Sequence, residues 1–139
     1  MIKIAIIEDK SQEAKKLRQY ILNYISMFDE YSNLITIDIF DSAEAFLESN
    51  SSSYDITFID IELPKINGMD AAYRLREYNK TTIIIFVTNL TQFAIKGYQV
   101  NALDYIIKPV TYNDIISPLE RALSLVSNRA SFNITVRNS

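Results

Sequence analysis

Five short apolar runs, each closed by a polar residue and each followed by a helical stripe, constrain this chain more than any other feature of its sequence. Ile4-Ala5-Ile6-Ile7 meets Glu8-Asp9, Tyr54 to Ile59 meets Asp60, Ile83 to Val87 meets Thr88-Asn89, and Ala102 to Ile107 meets Lys108-Pro109. Short, nearly continuous apolar runs are how strands covered on both faces look. The run Leu34 to Phe40 differs: Ile35, Ile37 and Ile39 alternate with Thr36, Asp38 and Phe40, which predicts a strand with one less buried face. Between the runs the period changes. Ser11 is placed to cap a helix with Ala14, Leu17, Ile21, Tyr24, Ile25 and Phe28 at three- and four-residue steps. Ser42 opens a short helix through Ala43, Phe46 and Leu47, a third helix lies near Met69 to Tyr78, and a short fourth near Gln92 to Lys96 stops at Gly97. The last, near Tyr112 to Val126, carries Ile115, Leu119, Ala122, Leu123 and Val126 on one stripe. Strand–helix alternation repeated five times with short connections predicts one α/β domain, a parallel sheet with helices on both faces.

Composition removes whole classes of chemistry. A length of 139 residues suits one domain, and 48% hydrophobic with 22% charged residues is ordinary for a globular protein. The absence of cysteine excludes disulfides, Cys-ligated zinc and thiol catalysis. The absence of histidine excludes a Ser-His-Asp triad, His-ligated metals and a phosphohistidine on this chain. Fourteen basic and seventeen acidic residues leave a net charge of −3, without the basic footprint of a nucleic-acid binder. The longest apolar run, Ile83 to Val87, is far too short for a membrane span, and Ile2 to Ile7 meets Glu8-Asp9 too soon for a signal peptide. The chain reads as cytoplasmic, with no membrane partner.

In open parallel sheets, ligands bind at the carboxyl ends of the strands. Those ends here supply Glu8 and Asp9, Asp60, Thr88 and Lys108. Each has a bland reading when taken alone: an acidic pair or Asp60 capping a turn, Thr88 capping the next helix, Lys108 as a solvated loop residue, Tyr105 as core. Each nevertheless closes a different strand on one edge, which capping alone does not require. Clustered carboxylates repel and raise each other's pKa unless a cation sits between them. With oxygen ligands only, a hard divalent ion such as Mg²⁺ fits best. A lysine and a threonine hydroxyl beside it suit phosphoryl oxygens, and an aspartate there can attack phosphorus to form an aspartyl phosphate.

At this point the chain resembles the receiver domain of two-component response regulators. The residues carrying the resemblance are Ile6-Ile7-Glu8-Asp9, Phe58-Ile59-Asp60-Ile61-Glu62-Leu63-Pro64 with Asn67-Gly68-Met69-Asp70, Phe86-Val87-Thr88, and Asp104-Tyr105-Ile106-Ile107-Lys108-Pro109-Val110, over about residues 2 to 126. The resemblance implies a flavodoxin-like (βα)5 doubly wound sheet with strand order 2-1-3-4-5. It implies Asp60 as phosphoacceptor, with Lys108 binding the phosphoryl group and Thr88 as switch hydroxyl. It further implies Asp9 and Asp60 as Mg²⁺ ligands, Glu8 reaching the ion through water, the Glu62 backbone carbonyl completing the site, Tyr105 as switch aromatic, and a cis Lys108-Pro109 bond. A separate sensor histidine kinase would be the phosphodonor. Phosphorylation would switch the face formed by the fourth helix, fifth strand and fifth helix, and drive homodimerisation.

The stretch Phe93-Ala94-Ile95-Lys96-Gly97-Tyr98, with Val100-Asn101-Ala102-Leu103-Asp104-Tyr105, resembles the LytTR-type (AgrA/LytR-like) subclass. Its members join a receiver to a largely β DNA-binding domain. Phe132, Ile134 and Val136 alternate after the polar break Ser127-Asn128-Arg129, which reads as one unpaired strand. Residues 1–127 are accordingly assigned to the receiver and 128–139 to a linker and the start of a DNA-binding domain absent from this chain. Two positions depart from the family's pattern. Glu8 stands where Asp is commoner, and Asn89 where a small residue is usual; the bulk of Asn89 is expected to slow both phosphorylation by small donors and hydrolysis. Competing readings are a partner-binding receiver independent of phosphorylation, a small phosphatase with Asp60 as nucleophile, and a nucleotide binder. The phosphatase lacks room for a substrate-covering cap. The nucleotide binder lacks glycines, since only Gly68 and Gly97 occur.

Overall fold

The computed structural model describes residues 1–28 and 34–138, with side chains described as far as Arg129. Its strands are β1 (Ile2–Ile7), β2 (Ile35–Phe40), β3 (Ile56–Ile59), β4 (Ile83–Thr88) and β5 (Asp104–Ile107). The helices are α1 (Ser11–Ile25), α2 (Ala43–Glu48), α3 (Gly68–Tyr78), α4 (Ala94–Gly97) and α5 (Tyr112–Asn138), with short 3-10 turns at Ser51–Ser53 and Tyr98–Val100. All neighbouring strands are parallel, in the order β2-β1-β3-β4-β5. This is the doubly wound, flavodoxin-like arrangement expected from the sequence.

Alternation along each strand separates two cores. Ile4 and Ile6 of β1, Phe58 of β3, and Ile85 and Val87 of β4 face α1 and α5, meeting Leu17, Ile21, Ile115 and Leu119. Ala5, Ile7, Ile59, Ile84 and Phe86 face the other way, onto Phe46 of α2 and Met69, Ala72 and Leu75 of α3. A fully buried side chain of this kind contributes about 1.5–3 kcal/mol, so the two layers hold the central strands rigid. β2 lies at the sheet edge and is the less buried strand, Ile39 being 37% exposed.

Three local expectations are corrected. The cap position of α1 is Lys10, whose side chain caps nothing, and Ser11 is already helical; the Glu8 carboxylate accepts the Lys10 N–H instead, at 3.2 Å. The short fourth helix ends at Gly97 as expected, but Gly97 is right-handed and not a left-handed cap; a 3-10 turn follows and the chain reverses at Asn101, with φ 56°. Asn tolerates that left-handed conformation better than most residues. Finally, the strand expected over 131–139 is helical from Ser131 to Asn138, the described part of it, because α5 runs to Asn138; Ser139 lies outside the described residues. A lone strand has no neighbour for its backbone donors and acceptors, whereas a helix bonds them internally. Ser42, by contrast, caps α2 as expected, accepting the Ala45 N–H at 3.1 Å.

Candidate functional site

The parallel ladder runs on past the strand ends and sets the site residues side by side. Glu8 N–H donates to the Phe40 carbonyl, Asp60 N–H to Ile7 and Lys108 N–H to Thr88, at 2.9, 3.0 and 2.9 Å. Glu8, Asp60 and Lys108 are thereby anchored through their own backbones on one edge of the sheet. Their side chains are only 7, 3 and 6% exposed.

Lys108 is the hub. Its ammonium donates to Asp60 Oδ2 at 3.0 Å, to Glu13 Oε2 at 3.2 Å, and to Glu8 Oε1. Burial alone would lower the lysine pKa, but the bonds to Glu8 and Asp60 override it and hold the ammonium above its usual range. Burial also pushes Glu8 up to about 7, with the Asp60 charge adding to the rise and the Lys108 bond opposing it. The other Asp60 oxygen, Oδ1, accepts the Glu62 N–H at 3.0 Å. Asp60 thus closes its own turn and faces the cluster together, so the capping and functional readings are not exclusive.

Glu8, Asp9 and Asp60 each offer a carboxylate oxygen, all within 4.8 Å of one another. Asp9 is exposed and Glu8 and Asp60 are buried, giving an all-oxygen donor set with one side open to water. Such a set fits a hard divalent cation. Thr88 is fully buried at the end of β4, its hydroxyl accepting the Leu90 N–H at 3.3 Å. Asn89 beside it is exposed. Tyr105 lies half-buried, its ring centroid 5.8 Å from that of Phe86 and its hydroxyl donating to the Leu90 carbonyl. The Lys108-Pro109 bond is cis.

Two residues of the site escaped the sequence reading. Glu13 supplies a third carboxylate to Lys108; its position four residues after Asp9 places it one turn further along α1, which was the available clue. Gly68 starts α3 against the backbone of Asp60: a Cβ there would lie 2.0 Å from the Asp60 carbonyl oxygen. Its N–H donates to Ile61 at 2.9 Å.

The comparisons with known proteins bear on the family and the fold. A family model described as response regulator receiver domain matches residues 4–120. Sensory transduction protein LytR of Staphylococcus haemolyticus is 32% identical over 128 residues, covering 91% of this chain and 47% of that protein. Sensory transduction protein LytT of Enterococcus faecalis is 39% identical over 80 residues, covering 58% and 33%. The chain spans about half the length, or less, of the curated relatives it matches. Among solved structures, the response regulatory domain of protein mrkE from Klebsiella pneumoniae superposes with a TM-score of 0.76 at 24% identity, covering 91% of this chain and 99% of that one. A CheY-like receiver domain protein from Methanospirillum hungatei gives 0.75 at 19% identity, covering 93% and 98%.

Proposed function

Since the chain belongs to the response regulator receiver domain family, we propose that it accepts a phosphoryl group on Asp60 from the phosphohistidine of a sensor kinase. The observation that carries this reading is the Lys108 ammonium held between Asp60 and Glu8 on the open edge of the sheet. An Asp60 carboxylate oxygen attacks phosphorus, the P–N bond breaks, and its electron pair returns to the kinase imidazole. Lys108 supplies positive charge to the phosphoryl oxygens where they gather charge. Asp9 and Asp60, with the Glu62 carbonyl and with Glu8 through water, would hold Mg²⁺. That ion would offset the repulsion between the carboxylates and the incoming group. The domain is then a phosphoacceptor that assists its own phosphorylation and dephosphorylation, rather than an enzyme acting on a free substrate. Asn89, exposed next to Thr88, would restrain access of small donors and of hydrolytic water.

The output would be the α4–β5–α5 face. Ile95, Tyr98 and Ile107 on it are 78, 86 and 42% exposed, apolar area that a phosphorylation-driven homodimer would cover. Thr88 and Tyr105 join the site to that face. Names and lengths of the LytR and LytT relatives support a LytTR-type transcription regulator whose DNA-binding domain follows residues 128–139.

The test is intact mass after incubation with acetyl phosphate and Mg²⁺, with Asp60→Asn alongside and size exclusion of the same samples. One phosphoryl group is expected, absent in Asp60→Asn and removed by alkaline hydroxylamine. No gain with acetyl phosphate or with candidate kinases would favour a phosphorylation-independent partner-binding domain.

A further inference from the structure

A lysine ammonium has three hydrogens to donate, and in Lys108 all three have carboxylate acceptors: Asp60, Glu8 and Glu13. None is left for a phosphoryl oxygen, so one acceptor must withdraw when such a group arrives. The three are not equal. Glu8 and Asp60 are buried, and separating either from its cation would strand a charge out of water. Glu13 is 41% exposed and returns to solvent at little cost. It also has a second cation within reach: Lys10, one helical turn earlier and 58% exposed, stands 4.0 Å from the same Oε2 atom.

On the premise that Asp60 is the phosphoacceptor, we propose that Glu13 is a positioning residue that occupies the third donor of Lys108 in the resting chain. It yields that donor, moving toward Lys10, as the phosphoryl group arrives. Glu13 does not touch the reacting atoms; it acts through Lys108 and sets how readily the ammonium can turn to the phosphoryl oxygens. Glu13 and Lys108 both line a cavity of about 100 Å³ between α1 and the Lys108-Pro109 turn, with Leu17, Tyr20 and Val110. Lys16 lines the same cavity with its ammonium over the Tyr20 ring, 5.8 Å from the centroid, whereas Lys10 stands within ion-pair distance of the Glu13 carboxylate. The transfer itself balances as before. With acetyl phosphate, an Asp60 oxygen bonds to phosphorus, the bond from phosphorus to the acetate oxygen breaks, and acetate leaves with the electron pair.

The experiment follows phosphorylation of the whole chain by acetyl phosphate with Mg²⁺, read by intact mass, for wild type, Glu13→Gln, Glu13→Asp, Lys10→Met and the Glu13→Gln/Lys10→Met pair. Glu13→Gln should raise the rate constant roughly two- to fivefold, the span an exposed ion pair commands. Glu13→Asp keeps the charge but loses the reach, and should resemble Glu13→Gln. Lys10→Met should slow the wild type by removing the alternative cation, yet change nothing in the Glu13→Gln background. In metal-free NMR, the Lys108 ammonium protons should exchange with water faster in Glu13→Gln than in wild type. Wild-type rates in both Glu13 variants would overturn the inference while leaving Asp60 as phosphoacceptor. So would a Glu13→Asp that behaves as wild type, or additive effects of Lys10→Met. A wild type that gains no phosphoryl group from acetyl phosphate or kinase would instead remove the premise, and the inference with it.

Discussion

Gly68→Ala measures how closely α3 is seated on the backbone of Asp60. The position has no left-handed φ, so the constraint is one of space. A Cβ would meet the Asp60 carbonyl oxygen at 2.0 Å, its carbon at 2.7 Å and Ile59 Cγ2 at 2.8 Å. Carbon contacts settle at about 3.5–4.0 Å, so the start of α3 must retreat by about 1 Å. Two effects oppose each other. Alanine in place of a helical glycine gains at most about 1 kcal/mol. Overpacking costs about 1–3 kcal/mol, at its upper end here because the obstacle is backbone. Strain on the Gly68–Ile61 hydrogen bond adds about 1 kcal/mol. The clash therefore wins, by about 2–3 kcal/mol. For a chain of this length that lowers Tm by about 10 °C, and so far as the Asp60 backbone gives way in place of α3, its misplacement by about 1 Å slows phosphorylation up to about 100-fold. Urea unfolding followed by far-UV circular dichroism gives the first number, and intact mass with acetyl phosphate the second. A variant with unchanged or raised Tm and wild-type phosphorylation would refute the reasoning, because helix propensity would then outweigh the contact.

Lys108→Met leaves Glu8 and Asp60 buried without their cation, and should cost about 3–5 kcal/mol without divalent ions; in thermal melts, added Mg²⁺ should recover more Tm in this variant than in wild type. Glu8 sets a pH dependence in the metal-free chain: its folded pKa of about 7 exceeds the ordinary value of 4.5, so the folded state holds the extra proton and stability falls as pH rises from 4.5 through 7. The loss is at most about 3 kcal/mol, and urea unfolding across that window should show it in wild type and not in Glu8→Gln. Arg76 donates to the carbonyls of Val100, Asn79 and Asn101 at 2.7, 3.2 and 3.4 Å, so Arg76→Ala should cost about 1–3 kcal/mol and speed hydrogen exchange selectively across residues 98–101.

Most of the fold was legible because a strand buried on both faces shows itself directly in the sequence. Ile83 to Val87 and Ile56 to Ile59 are such strands, and their neighbours in the ladder follow from parallel winding. The site was legible for a related reason: Glu8, Asp60, Thr88 and Lys108 each close a strand, and position at a strand end is a one-dimensional property. Glu13 was not legible in the same way. Its partner Lys108 lies 95 residues away, and on α1 alone Glu13 is one more acidic residue on a solvated face. Gly68 was quoted as part of a motif, but its contact with the Asp60 backbone needs the approach of α3 to β3. The tail failed for a different reason. Alternation at Phe132, Ile134 and Val136 states a preference that needs a second strand to act on, and among the described residues no strand pairs with it.

The charge distribution bears on how this edge of the sheet would accommodate the phosphoryl chemistry proposed for it. Glu8, Asp9, Asp60 and Glu13 against Lys108 amount to −3, equal to the net charge of the whole chain, so the rest of the molecule is neutral on balance. Burial, and after it the charge of Asp60, raise the Glu8 carboxyl against the opposing bond from Lys108. Another anion cannot be added to such a place unless cationic charge comes with it or is released within it. An entering divalent cation does the first. The second is available only from Lys108, and only if one of its three carboxylates lets go. Burial forbids that to Glu8 and Asp60 and permits it to Glu13, which makes the exposed end of α1 the adjustable part of an otherwise rigid site.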